Sequence, residues 1–386
     1  MIGITRLLCG TIQLGDTLRY GRSRADFAAR KPIVVWNSTR RCNLNCLHCY
    51  MDAESASQSG ELTTAQAQEM IDDLARFEGP VLLFSGGEPL IREDLFELGH
   101  YAVGRGLRTV ISSNGTLISP GVAEQIKAAG FSYVGISLDG IGENNDRFRM
   151  QEGAFEGALA GIRNCQAAGV RVGLRFTMNR HNFADLPQVL SLLEQEQIPR
   201  ACFYHLVYAG RGSQMQQADL THAQTRQALD LIIDSARDFH ARGQQIELLT
   251  VDNHCDGIYL LRQLRNADPA RAEEAFQLLQ QNGGNQSGIA IAAVDPQGNV
   301  HADQFWQHYS FGNVRKRPFS KIWLDTSDPL LAGLKNRKPL LKGRCADCKY
   351  LDLCNGNLRV RAEAVYGDVW APDPACYLTD DEIGIK

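Results

Sequence analysis

The sequence predicts an α/β protein, a partial (β/α)6 barrel of the TIM type followed by a smaller, cysteine-bearing C-terminal extension. Three observations carry this. Short apolar, β-branched runs alternate with longer amphipathic stretches from residue 33 to about 208. Several of those stretches end at a glycine, where a helix C-cap belongs. Past residue 208 the rhythm breaks and four further cysteines appear near the end. Strands alternating with helices imply parallel pairing through right-handed crossovers, and near-continuous apolar strands imply a sheet covered on its outer face.

In order, the strands are IVVWNST (33–39), VLLFSGG (81–87), RTVISSNG (108–115), YVGISLDG (133–140), VRVGLRFTM (170–178) and ACFYHLV (201–207). The helices between them are TAQAQEMIDDLARF, DLFELGHYAVGRG, SPGVAEQIKAAG, FEGALAGIRNCQAAG and ADLPQVLSLLEQEQ. Residues 221–285 read as helices around a short strand, IELLTVD, and GIAIAAVDPQGNVHAD reads as a hairpin turned by PQGN. The chain divides into an N-terminal extension (1–30), the barrel (31–215), a helical linker (216–288) and a C-terminal domain (289–386).

A barrel of this kind builds its site from the C-terminal ends of its strands. After the first strand come Cys42, Cys46 and Cys49, and after the second Ser85, Gly86, Gly87, Glu88 and Pro89. The third supplies Ser112, Ser113 and Asn114, the fourth Ser137 and Asp139, the fifth Arg175 and the sixth His205. Any one of these reads as a turn residue or helix cap. Their recurrence at the same end of successive strands points to one shared pocket.

Composition narrows the setting. The chain has 386 residues, 44% of them hydrophobic, and a formal charge of -4. It contains no run of like charge that resembles a nucleic-acid or membrane-surface patch, which disfavours either as partner. The apolar stretch at the N-terminus is interrupted by Arg6, so no signal peptide is expected, and no window reaches the length of a membrane span. Eleven cysteines without an export signal suggest a reducing, cytoplasmic setting, where clustered thiols serve as metal ligands.

Cys42, Cys46 and Cys49 stand in the spacing C-x3-C-x2-C. Three thiols are one short of a closed zinc tetrahedron, and an odd number leaves one outside any disulfide set. They suit a 4Fe-4S cubane whose fourth iron stays open for another ligand. A zinc loop borrowing a distant fourth ligand is the alternative. Cys345, Cys348 and Cys354 follow C-x2-C-x5-C, with Cys376 as a fourth thiol, and by spacing alone zinc and an iron-sulfur cluster are both open.

With SGGEP one β/α unit after the triple-cysteine loop, the chain resembles the radical S-adenosylmethionine (SAM) enzymes. The resemblance implies that Cys42, Cys46 and Cys49 hold a 4Fe-4S cluster that binds SAM. It implies that the SGGEP backbone and Glu88 hold the SAM amino group, the glycines permitting close approach. Ser112, Asn114, Ser137 and Asp139 would reach the ribose and methionine ends, and Arg175 the carboxylate, its plain alternative being an ordinary salt bridge. An electron donor such as a ferredoxin or flavodoxin would reduce the cluster, and SAM would yield a 5'-deoxyadenosyl radical that takes a hydrogen from substrate. The C-terminal cysteines resemble the SPASM extension, which implies a second, auxiliary 4Fe-4S cluster on Cys345, Cys348, Cys354 and Cys376. The preceding hairpin lacks the further cysteines of full SPASM domains, so one auxiliary cluster is expected. Cys9, Cys165, Cys202 and Cys255 read as small buried residues.

Two stretches, VDNHCDGIYL and HADQFWQHYSFGNVRKRPFSKIW, resemble the radical SAM enzymes of alternative heme synthesis, foremost the NirJ-like enzymes of heme d1 synthesis. That implies a tetrapyrrole substrate, iron didecarboxysiroheme, and removal of propionate side chains. A sister family in siroheme-dependent heme synthesis removes acetate side chains instead. A SPASM-type peptide maturase is the further alternative, although residues 1–30 are short for a precursor-recognition domain. For a macrocycle, Tyr204, His205, Tyr208, Phe305, Trp306 and Tyr309 are candidates for an aromatic wall, and Arg211, Arg315 and Arg317 for carboxylate anchors. His205, His254, His301 and His308 are candidate iron ligands, His205 first because a strand end places it at the pocket.

Overall fold

The structure, a computed structural model, describes residues 1–21, 30–56 and 59–385. Part of the N-terminal extension, 22–29, therefore lies outside the described residues. Among the described residues ten strands form one sheet: β1 (Ile2–Gly3), β2 (Ile33–Asn37), β3 (Leu82–Ser85), β4 (Thr109–Ser113), β5 (Val134–Ser137), β6 (Val172–Met178), β7 (Arg200–His205), β8 (Glu247–Val251), β9 (Ile291–Val294) and β10 (Val300–His301). The sheet order is β1-β8-β7-β6-β5-β4-β3-β2-β9-β10. The six predicted barrel strands, β2 to β7, stand side by side in chain order, all parallel.

Four strands extend this core. IELLTVD is β8, which joins the barrel sheet parallel to β7 rather than standing apart among the linker helices. β1 closes that edge, antiparallel to β8. The predicted hairpin is β9–β10, and β9 pairs parallel with β2, so the C-terminal region is hydrogen-bonded into the barrel sheet.

Local chemistry explains the helices. Thr63 caps Thr64–Arg76 in a reciprocal capping box with Gln66, and Thr221 does the same with Gln224 for His222–Ala241. Ser119 caps Pro120–Ala128, with proline in its first turn. The core between sheet and helices is aromatic and aliphatic: Trp36 meets Phe84 at 5.3 Å, and Phe84 meets Phe131 edge-on at 5.4 Å. A helix absent from the sequence reading, Glu143–Arg149, follows β5. Among the described residues no helix is long and apolar enough to cross a membrane.

The C-terminal region is seated by buried arginines. Arg361 and Asp373, neither exposed, pair at 3.0 Å. Arg361 also donates to the carbonyls of Leu206 and Asp252, just beyond β7 and β8. The C-terminal region is thereby fixed against the strand ends where the site lies.

Candidate active site

The strand ends come level on one side of the sheet, with Asn37 opposite Ser85, Ser137 opposite Arg175 and Met178 opposite His205. Together with the cysteine loop they surround a solvent-open cavity of about 1080 Å³. Cys42, Cys46, Cys49, Ser85, Gly86, Gly87, Ser112, Asn114, Ser137, Arg175 and His205 all line it. Glu88, Pro89 and Asp139 do not.

Glu88 is fully buried behind the wall. Its carboxylate accepts from the Ser113 hydroxyl (2.9 Å) and the backbone N–H groups of Asn114 (2.7 Å) and Leu90 (3.2 Å). Burial nevertheless pushes its pKa up to about 7. Its oxygens tie the end of β4 to the SGGEP turn. Asp139 likewise accepts from Thr177 N at 2.7 Å and pairs with Arg149 and with His48 (3.3 Å). Arg149 then donates to Cys46 Sγ at 3.5 Å. The residue expected at the ribose or methionine thus orients an arginine that meets a cysteine.

The glycines serve a role the sequence reading did not assign. Gly86 has φ +134°, and a Cβ there would run into the Thr39 carbonyl, while one on Gly87 would strike that of Arg41. Gly87 N donates to Thr39 O and Glu88 N to Arg41 O, both at 2.8 Å. The SGGEP turn is therefore zipped to the segment that leads into the cysteine loop. From the far side Arg211 donates to the carbonyls of Cys46 (2.9 Å) and Ala53 (3.0 Å).

Each sulfur of the loop receives an N–H: Leu44 N to Cys42 (3.4 Å), Arg149 to Cys46 (3.5 Å) and Ala53 N to Cys49 (3.4 Å). As free thiols Cys42 and Cys46 are pushed up by burial, Cys42 to about 12. Sulfurs that accept hydrogen bonds in a water-poor wall suit ligands that become thiolate on binding a cluster and release their protons. The donor set fits a sulfur-ligated cluster at this position.

His205 sits in the wall with Nε2 at 2.9 Å from Asp256 Oδ2, and Asp256 also accepts from Tyr377 OH at 3.0 Å. Tyr204, His205 and Phe305 share the cavity wall, and Arg175 lies 4.9 Å from the Tyr204 ring. Of the other macrocycle candidates, Arg211 also lines this cavity and His254 lines an adjoining one, and the rest are elsewhere. Trp306 is buried in a separate core cluster, Tyr208 bonds Asp219 and Tyr309 bonds Asp328. Arg315 is spent on Gln66 and the carbonyls of Gln297 and Gly60, and Arg317 on Asp325 and the Lys321 carbonyl, all near the surface. Of the three predicted carboxylate anchors only Arg211 reaches the cavity. His254, His301 and His308 are paired with Asn357, with the Tyr309 carbonyl and with Glu363.

A second cavity, of about 1300 Å³, shares Val35, Leu83, Arg175, Tyr204, Asp252, Gln304 and Phe305 with the first. A third, about 390 Å³, is lined by Cys345, Cys348, Cys354 and Cys376, together with Cys255. The four predicted cysteines are brought together as their spacing implied. Cys255 joins them across a tertiary contact that no sequence spacing announces. Among the described residues no group of three or more His, Cys, Asp or Glu is placed to hold a metal ion as it stands.

The family model described as the Radical SAM superfamily matches residues 36–193, which hold the end of β2, the triple-cysteine loop, the SGGEP turn and β3 to β6. Over its full length the chain is 58% identical to the Fe-coproporphyrin III synthase of Methanosarcina barkeri, covering 99% of that protein. It is 46% identical to the pre-heme d1 synthase of Dinoroseobacter shibae, over 92% of this chain and 88% of that one. Streptococcus suis SuiB bound to its precursor peptide SuiA shares the fold, with a TM-score of 0.71 at 16% identity over 90% of this chain and 76% of that one. The chain belongs to the radical SAM superfamily, in the branch that holds the Fe-coproporphyrin III and pre-heme d1 synthases. It is an enzyme whose family takes SAM and a 4Fe-4S cluster.

Proposed function

We propose that this protein removes acetate side chains from iron didecarboxysiroheme to give Fe-coproporphyrin III. The 58% identity to Fe-coproporphyrin III synthase along the whole chain carries the reading. It replaces removal of propionates toward heme d1 as the first choice. Propionate removal stays the second reading, on the 46% identity to pre-heme d1 synthase.

In this reading Cys42, Cys46 and Cys49 hold the SAM-binding cluster, and Gly86, Gly87, Ser85, Ser112, Asn114, Ser137 and Arg175 receive SAM. Glu88 and Asp139 hold that wall in shape from behind. The chemistry supplied by cluster and SAM is one-electron cleavage to a deoxyadenosyl radical that takes a hydrogen from substrate. The adjoining cavities meet along Tyr204 and Phe305, an aromatic lining of the kind a macrocycle packs against. His205 faces the substrate iron: a histidine whose other nitrogen is held by a carboxylate, here Asp256, has the support common to metal-ligating imidazoles. Arg211 anchors a substrate carboxylate. Cys345, Cys348, Cys354 and Cys376 hold an auxiliary cluster, and a ferredoxin- or flavodoxin-like donor supplies electrons.

The test is anaerobic turnover with reductant, SAM and iron didecarboxysiroheme, followed by tetrapyrrole mass. Loss of acetate units supports the reading. Loss of propionate units overturns it in favour of the second.

A further inference from the structure

Beside the active-site cavity a cation is left without a partner. Arg40 stands between the end of β2 and Cys42, and its backbone is held there: its N–H donates to Glu61 Oε1 (2.9 Å) and its carbonyl accepts from Glu54 N (3.2 Å). The side chain is not held. Its Nε is buried without a hydrogen-bond partner, and among the described residues no carboxylate or carbonyl takes the guanidinium.

Arg40 lines an outer, solvent-open cavity of about 1140 Å³ that shares Tyr50 and Phe305 with the active-site cavity. Those two rings meet edge-on at 5.4 Å, so the two spaces join along one aromatic contact. On the inner side Arg211 also has a nitrogen to spare. Its Nε and Nη1 are spent on the carbonyls of Cys46 and Ala53, and its Nη2 is buried and unpartnered. A buried N–H without an acceptor carries a cost that a ligand bringing one can lift. The carboxylates lining the outer cavity do not fill that role: Glu363 is taken by His308 at 2.9 Å, and Asp52, which is exposed, makes no ion pair with Arg40 among the described residues.

We propose that the outer cavity is a carboxylate subsite of the substrate and that Arg40 is its anchor: the macrocycle lies along Tyr50 and Phe305, with one carboxylate on Arg211 inside and another on Arg40 outside. The planar guanidinium fork matches a carboxylate with paired hydrogen bonds. A ring with carboxylates around its rim can turn in its own plane when held at one point. A second anchor stops that rotation and so fixes which side chain is presented to the radical, the anchored carboxylates being ones the reaction leaves in place. The inference rests on the reading of the substrate as a carboxylate-bearing tetrapyrrole.

The experiment is an equilibrium spectral titration of the iron-reconstituted full chain with iron didecarboxysiroheme and with its methyl ester, which keeps the macrocycle and caps the carboxylates. Arg40→Gln is expected to bind the free acid about 10-fold more weakly than wild type, Arg40→Lys to lose less, and the gap to close with the methyl ester. Ala364 lines the same cavity from an exposed helix position, away from the cysteine loop. Ala364→Glu, which adds a carboxylate there, is expected to weaken binding of the acid more than Ala364→Gln does, and this pair decides the outcome should Arg40→Gln fail to fold. Equal affinity of wild type and Arg40→Gln for the acid overturns the inference. So does a loss that persists in full with the methyl ester, which makes Arg40 a support of the cysteine loop, and so does an Ala364→Glu chain that binds like Ala364→Gln. A wild-type chain that binds neither form overturns the tetrapyrrole reading beneath it.

Discussion

At Glu88 two effects oppose each other. Burial raises the carboxyl, the hydrogen bonds from Asn114, Leu90 and Ser113 lower it, and burial prevails, leaving the group at about 7. The unfolded value is about 4.3, so the folded state binds the proton more tightly. This contribution to stability is fully present below about 4.3 and is lost as pH rises through about 7. Glu88→Gln removes that slope, so the Tm of wild type relative to the variant is expected to fall between pH 5 and pH 8. A constant difference would contradict it. Cys46→Ala is expected to abolish SAM cleavage while about half the iron, on the auxiliary cysteines, remains; unchanged deoxyadenosine would remove these cysteines from the site. Asp256→Asn, nearly isosteric, is expected to weaken tetrapyrrole binding by ~10–100-fold in a spectral titration, and unaltered binding would take His205 away from the substrate iron. Residue types at strand ends were legible in the sequence. The direction each side chain takes was not, because Glu88 and Asp139 turn toward partners supplied by other strands and by a helix.

At the level of elements, period and caps located all six barrel strands and the helices between them. What escaped lacked a pattern to read. β1 is two residues long, and its pairing with β8 is a tertiary event. The helix Glu143–Arg149, ENNDRFR, has one apolar side chain and so no amphipathic period, yet it delivers Arg149 to Cys46. The SGGEP turn was legible as a motif, but its glycines are needed for the approach to Thr39 and Arg41. Gly86→Ala is therefore expected to destabilise by more than ~1 kcal/mol, since it adds a backbone collision to a positive φ. Iron bound through Cys42, Cys46 and Cys49 should drop with it, while the auxiliary signal persists. Wild-type iron content and Tm would show that the turn tolerates the side chain.

Across the whole molecule, the sheet runs without a break from β1 to β10, and the two cysteine sets sit on opposite sides of a short link. His205 lines one cavity, Cys255 and Cys376 line the other, and Asp256 bonds both His205 and Tyr377, the residue after Cys376. The four-cysteine spacing was readable in sequence, whereas this link was not, since its parts lie on β7, on the helix after β8 and in the C-terminal segment. The central claim is that radical formation in the barrel is spent on a tetrapyrrole. The most direct measurement is the rate of 5'-deoxyadenosine formation under anaerobic reduction, with and without iron didecarboxysiroheme, alongside consumption of the macrocycle. The account predicts that deoxyadenosine formation rises with the tetrapyrrole present and tracks its conversion. Equal SAM cleavage in its absence, with the macrocycle returned unchanged, would contradict it.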